Sequence, residues 1–356
     1  MIQMKPELFA ALGDSIDGLR SALQAAIELE HSTIPPYLYA LYSLKPGTNG
    51  EIGELLLSVI GQEMLHMALD CNILNAIGGS PDIDHPRFIP KYPGPLPGSV
   101  EAGLIVPLAP FSKQLVHDVF MVIEEPETPL QFPVLKTAEA AAPSPETIGE
   151  FYAAIKKQIR QLSKQHNIFT GDPRRQLTTG FRPLQIINVN SEDSAIAAID
   201  LIVDQGEGTK TSPLDVEDQP AHYYRFAEVY YGKKLIPNPN PKPGAPEYAY
   251  GGHRIRFDTA GVWPTLLNPS SSSYEPGSKA RHLNDTFNYT YTNLLRCLHL
   301  VFNGQPDRLG PAMLQMEALR ERAMFLMSYE LVPGMTAGPS FEYHPANPLR
   351  KSLEAA

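Results

Sequence analysis

Residues 51–77, EIGELLLSVIGQEMLHMALDCNILNAI, decide the fold. The run is apolar on nearly every side, through Leu55, Leu56, Leu57, Val59 and Ile60, so it reads as a helix deep in a bundle, ended by Gly78-Gly79 and Pro81. Counting sevens from Leu56 reaches 63 and from Val59 reaches 66, which puts Glu63 and His66 on a buried stripe that continues to Ile73. Three positions apart, they lie one turn from each other on one face, where a carboxylate and an imidazole reach a single cation.

The preceding segment repeats the signal. A helix with Asp14 or Ser15 as N-cap carries Ile16, Leu19, Leu23 and Ile27 at buried spacing and runs on towards Tyr37 and Leu41. Sevens from Leu23 give 30 and 37, so Glu30 takes a core place, whereas Glu28 falls with Ser21, Gln24 and His31 on the polar side. Glu30 and Glu63 lie almost equally far from the turn near residue 46 and meet at one height in an antiparallel hairpin. Two carboxylates and a histidine in an apolar bundle are too costly to leave charged and alone, and a shared metal ion resolves this. Pro35-Pro36, just past Glu30, predicts a kink or bulge that frees carbonyls and opens a substrate path beside Tyr37.

Further helices follow. A short one over roughly Ser112 to Glu125 stops at Pro126, and Ser144-Pro145 opens another to about Gln165 with the stripe Ile148, Phe151, Ile155, Ile159 and Leu162. A fourth helix starts near Ser191, breaks at Gly206-Glu207-Gly208 and resumes from His222 to Tyr231. Glu207 falls on the stripe of Ile196, Asp200 and Val203, and His222 joins it if the loop from Gly208 to Ala221 folds outward. Periodicity leaves Glu150 in water although its position mirrors Glu207, and Glu124 is a rival donor. Residues 232–280 are too rich in Pro, Gly and Ser for helix and read as an ordered cover, with RIRFD and GVWP as short strands or bundle-packing segments. Leu283 to Phe302 and Pro311 to Leu331 form an antiparallel pair, and the last 25 residues are extended. The expectation is an all-α four-helix bundle over 1–231 with long Pro-rich connections, and over 232–356 a loop-rich cover with an added C-terminal helical pair.

Composition narrows the function. The 356 residues hold 29 Lys plus Arg against 39 Asp plus Glu, a net charge of −10, which argues against nucleic acid or an anionic membrane as partner. Cys71 and Cys297 sit in helical patterns and match no metal-ligand spacing. The start lacks a basic region followed by an apolar core, and no membrane span is read, so a cytoplasmic setting is expected. QGEGTKTS lacks the order of a phosphate loop, and neither a nucleophile elbow nor a dinucleotide fingerprint occurs.

Five segments together resemble a known family: AIELEHSTIPPYLYALYS (26–43), QEMLHMALDCNILNAIGG (62–79), IGEFY (148–152), VDQGEGT (203–209) with HYYRF (222–226), and TAGPSFEY near the C-terminus. The chain is similar over almost its whole length to the ferritin-like domain found alone in bacterial proteins and inside the larger iminophenylpyruvate dimer synthases of violacein and indolocarbazole biosynthesis. That resemblance implies a ferritin-like four-helix bundle holding two metals, usually iron or manganese, with one Glu from each of two helices and a Glu-x-x-His from each of the others. Carried onto this chain, Glu30, Glu63 and His66 match. Glu207 and His222 match if the fourth motif is split by an insertion, and Glu150 if a distorted third helix turns it inward. A mononuclear site is the other arrangement compatible with these departures.

Glu and His donors suit iron(II) or manganese with positions open to dioxygen or peroxide. The expected function is a metal-dependent oxidoreductase, di-iron by the resemblance, acting on a small organic substrate with Glu30, Glu63 and His66 at its centre. The resemblance points to an amine or imine. The alternative is a ferritin-like iron-binding or iron-oxidising protein without substrate turnover. The cover after residue 232 favours the enclosed pocket an enzyme needs. A homo-oligomer is compatible with either.

Overall fold

The computed structural model describes residues 15–97, 104–126, 129–133, 148–179, 185–208, 212–239 and 246–346. Helix α1 spans Ile16–Tyr42, and the Ser15 side chain accepts a hydrogen bond from the Gly18 N–H at its start, so Ser15 is the N-cap. It runs on through Pro35 and Pro36. Pro36 has no N–H for the Ser32 carbonyl one turn back, and the Tyr92 hydroxyl, from the following connection, donates to that carbonyl at 2.6 Å. Helix α2, Gly50–Ala76, is the buried centre. By length and composition it would cross a membrane, yet 67% of its apolar window is covered by the rest of the protein.

The third and fourth positions of the bundle are each filled by two helical pieces. The third begins with α3, formed by Lys113–Leu115, a π-helical turn over Val116–Phe120, and Met121–Ile123. It continues, after a connection, as α4, Ile148–Ser163, whose buried face is Phe151, Tyr152, Ile155, Ile159 and Leu162. The expected N-cap at Ser144-Pro145 lies outside the described residues. The fourth begins with α5, Glu192–Glu207, capped by Ser191 and Ser194 reciprocally, and resumes as α6, His222–Tyr231. Helices α1, α2, α5 and α4 pack in a closed ring around one end of the bundle, while α3 and α6 pack together at the other. Tyr37 of α1 meets the rings of Phe120 and Phe226 there, at centroid distances of 4.6 and 5.3 Å. Gln158 of α4 bonds the Ser15 carbonyl and Lys113 of α3 the Tyr230 carbonyl, so both interruptions fall at mid-bundle.

From residue 212 the loop before α6 is tied to the helices on either side of it. Asp215 and Arg225 form a buried ion pair at 3.1 Å, and the Arg225 guanidinium also donates to the Pro220 carbonyl at 2.5 Å. The Val216 N–H donates to the Asp204 side chain, closing the loop against α5.

After Tyr231 come an antiparallel hairpin of β1 (Lys233–Pro237) and β2 (Tyr248–Arg254), then α7 (Lys279–Phe302) packed on α8 (Leu309–Met327), then short strands β3 (Glu330–Val332) and β4 (Met335–Thr336). The first strands thus precede the expected RIRFD segment, which contributes only Arg254 to them. GVWP packs on the bundle instead, Val262 bridging Leu44 and Trp263 bonding the Ser43 carbonyl. Phe287, Tyr291 and Phe341 belong to the same hydrophobic core as the bundle, so residue 231 ends the bundle without dividing the core. His31, expected on a polar face, is buried for this reason: α7 places Tyr291 against it, with its hydroxyl 2.6 Å from the ring nitrogen Nε2.

Candidate metal centre

At the level of the two helix breaks, five side chains able to ligate a metal converge in two groups: Glu30, Glu63 and His66, and Glu63, Glu124 and His222. Within each group the donor atoms lie within 4.8 Å of one another, and all five residues are buried. His66 Nδ1 is 3.5 Å from Glu30 Oε2 and 3.9 Å from Glu63 Oε1. His222 Nδ1 is 2.9 Å from the same Glu63 oxygen and 3.3 Å from Glu124 Oε2. The two rings stack at a 5.5 Å centroid distance. Glu63 therefore stands between two donor sets that are otherwise separate.

The far nitrogens show which atoms are offered. His66 Nε2 lies 3.0 Å from Gln205 Oε1, and His222 Nε2 lies 3.0 Å from Gln62 Oε1. Where Nε2 donates to the amide oxygen, Nδ1 of each ring turns a lone pair towards carboxylate oxygens. Such a facing of acceptors is repulsive until a cation, metal or proton, enters between them. Among the described residues no Lys or Arg pairs with Glu30, Glu63 or Glu124. The mixed carboxylate oxygen and imidazole nitrogen set, with its outer hydrogen bonds in place, could hold metal at either group, Glu63 being common to both.

Outer contacts orient the carboxylates. The Tyr37 hydroxyl donates to Glu124 at 2.5 Å and Thr33 donates to Glu63 at 2.7 Å. Tyr152 lies 2.6 Å from Glu30 and 2.8 Å from Asp70, with one hydroxyl proton to share between two carboxyl groups. Burial, then the charge of Glu30, pushes the Asp70 carboxyl well above its usual range. Burial, then the charges of Glu124 and Glu30, does the same to Glu63. Like charges gathered in a dry site cannot all ionise without a counter-ion.

The sequence expectations divide clearly. Glu30, Glu63 and His66 lie together, His222 joins them from the resumed fourth helix, and the carboxylate that the third helical position brings to the group is Glu124. Glu150 is not turned inward but exposed, because Ile148, Phe151 and Ile155 hold the opposite face of α4 to the core. The same helix sends in Tyr152. The side chain of Glu207 lies outside the described residues. Gln62, Gln205, Tyr152 and Asp70 were not read as site residues. Asp70 follows Glu63 by seven positions and so had the stripe signal.

A cavity of about 40 Å³ adjoins the carboxylates. Buried Leu29, Ile123 and Ile202 form its apolar wall, and half-buried Glu125, Ile148, Val203 and Gly206 its rim at the helix breaks. At ~10–15 Å³ per water-sized sphere it holds about three such species. The cover after residue 232, expected to enclose the pocket, supplies none of its described lining.

Known proteins share the fold. The chain is 25% identical over 343 aligned residues to dichlorochromopyrrolate synthase of Lentzea aerocolonigenes, covering 83% of this chain but only 30% of that protein. The crystal structure of a ferritin-like protein from Caulobacter vibrioides superposes with a TM-score of 0.56 at 24% identity, covering 90% of this chain and 97% of that one, and so shares the fold. The ferritin-like family model matches residues 23–231, well over half of the 356. The chain belongs to the ferritin-like family.

Proposed function

We propose that this protein is a metal-dependent oxidoreductase, with two iron ions or manganese at the centre, that uses dioxygen or peroxide to oxidise a small organic amine or imine. The observation that carries the reading is the position of Glu63 between two His/Glu donor sets, each of which would hold a metal ion. Bound there, such ions supply redox chemistry with dioxygen or peroxide. The protein's part is positional. Gln205 and Gln62 hold the two imidazoles with Nδ1 inward, Tyr152, Tyr37 and Thr33 hold the three carboxylates, and Leu29, Ile123 and Ile202 keep bulk water out. A cavity this small admits dioxygen and leaves an organic substrate at the rim, beside Ile148, Val203 and Gly206. The relatedness to a synthase supports an oxidative biosynthetic role, while that whole protein's activity extends over a chain of which this one spans 30%.

The same small cavity favours a second reading, iron oxidation without an organic substrate. Elemental analysis of protein purified without added metal, with Glu63→Ala and His66→Ala beside it, tests the centre. Two ions per chain are expected in the wild type, none in Glu63→Ala, and equally negligible metal in all three overturns the reading. Oxygen uptake that needs an amine supports the oxidoreductase; uptake with iron(II) alone supports the alternative.

A further inference from the structure

At the opposite end of α6 from His222 lies a cleft of about 560 Å³ between the start of α3 and the β1–β2 hairpin. Four of its lining residues are cationic, Lys113, Lys233, Arg254 and Arg256, and none is acidic, in a chain whose net charge is −10. Lys233 and Arg254 are direct cross-strand partners in the hairpin, an arrangement of like charges that destabilises a two-stranded ribbon. Lys113 completes the cluster. Its ammonium group donates to the Tyr230 carbonyl at 2.8 Å, reaching over Gly232, where a Cβ would stand 3.2 Å from Nζ. Among the described residues no carboxylate pairs with Lys113, Arg254 or Arg256. Burial and the charge of Arg254 lower the pKa of Lys113 below the usual lysine value. The helix end explains Lys113, but not the exposed Arg254 and Arg256 beside it.

We propose that this cleft is a binding site for a small phosphate-class oxyanion, held by Lys113, Arg254 and Arg256. Arginine forks match its oxygens in pairs, and the ammonium groups add point charges. Tyr231 and Phe257 line the same cleft, so the anion is either free phosphate or the phosphate of a monoester whose apolar body lies on these rings. The site is independent of the metal centre, which stands at the other end of α6.

The test is calorimetric titration of the full chain with inorganic phosphate and with phenyl phosphate, at constant ionic strength kept by chloride. Saturable binding is expected, and tighter binding of phenyl phosphate marks the monoester as the class. The double variant Arg254→Ala/Arg256→Ala is expected to bind at least tenfold more weakly with unchanged metal content. In phosphate-free buffer Arg254→Ala is expected to melt no lower than wild type, since it removes a repulsion. Absence of saturation by both probes, or equal binding by the double variant, overturns the proposal.

Discussion

Replacing Gln205 with leucine separates the orientation of a ligand from its presence. In the wild type Gln205, itself buried, stands with Oε1 3.0 Å from His66 Nε2, placed to accept its proton, and Nδ1 faces Glu30 and Glu63 at 3.5 and 3.9 Å. Leucine leaves that proton in a dry site with no acceptor, at about 1–3 kcal/mol. The ring has an escape: the proton moves to Nδ1, where two carboxylates accept it. Most of the cost is recovered in metal-free protein, but the atom that would bind the ion is now a donor. Outer-shell losses of this kind lower metal affinity about 10–100-fold, or about 1.4–2.8 kcal/mol at 1.4 per tenfold. Competition titration with a chelator of known affinity measures this, and melting of metal-free protein measures the fold. We expect one of two ions to weaken by that factor, a melting change smaller than the affinity change, and recovery in Gln205→Glu, which keeps an acceptor. Wild-type affinity for both ions in Gln205→Leu would refute the assignment of Nδ1 as the donor.

Three further outcomes follow from the same geometry. Glu124→Ala should remove one ion per chain while Glu150→Ala leaves metal content and melting within about 0.5 kcal/mol of wild type, as surface changes do; elemental analysis and denaturant titration check both. Tyr152→Phe removes the hydroxyl between Glu30 and Asp70 and should cost metal-free protein about 1–3 kcal/mol, since Asp70 Oδ1 already lacks a partner and Oδ2 loses its own. Asp215→Ala leaves the Arg225 charge buried without its carboxylate and should destabilise by about 3–5 kcal/mol, with the ion held by His222 weakened as the loop that returns this residue loosens; a denaturant titration beside a metal count detects both.

What the sequence disclosed and what it hid follow one physical line. Glu30, Glu63 and His66 lie inside two continuous helices, where a count of sevens keeps its phase, so their inward direction was readable from neighbours alone. Glu124 follows a π-helical turn at a helix end, where a wider turn shifts the register and periodicity stops counting. Glu150 sits in regular helix, and there the count was right: the apolar stripe outweighs any symmetry with the fourth position. His31 misled because a face polar by one helix's pattern is buried by another element far along the chain, and Tyr291 is 260 residues away. The glutamines carried no signal because an uncharged amide in an apolar run reads as surface or filler, although Gln62 is 2% exposed. Two of the site residues share one location. An interrupted helix leaves carbonyls and N–H groups without partners, a cost that two neighbouring positions bear at the same level here. Glu124 and His222 enter from those interrupted ends, and the cavity rim is built from Glu125, Ile148, Val203 and Gly206, which flank them. Closing either break into regular helix would displace Glu124 or His222 and the rim beside it, so the irregularity that defeats periodicity is the feature that builds the candidate site.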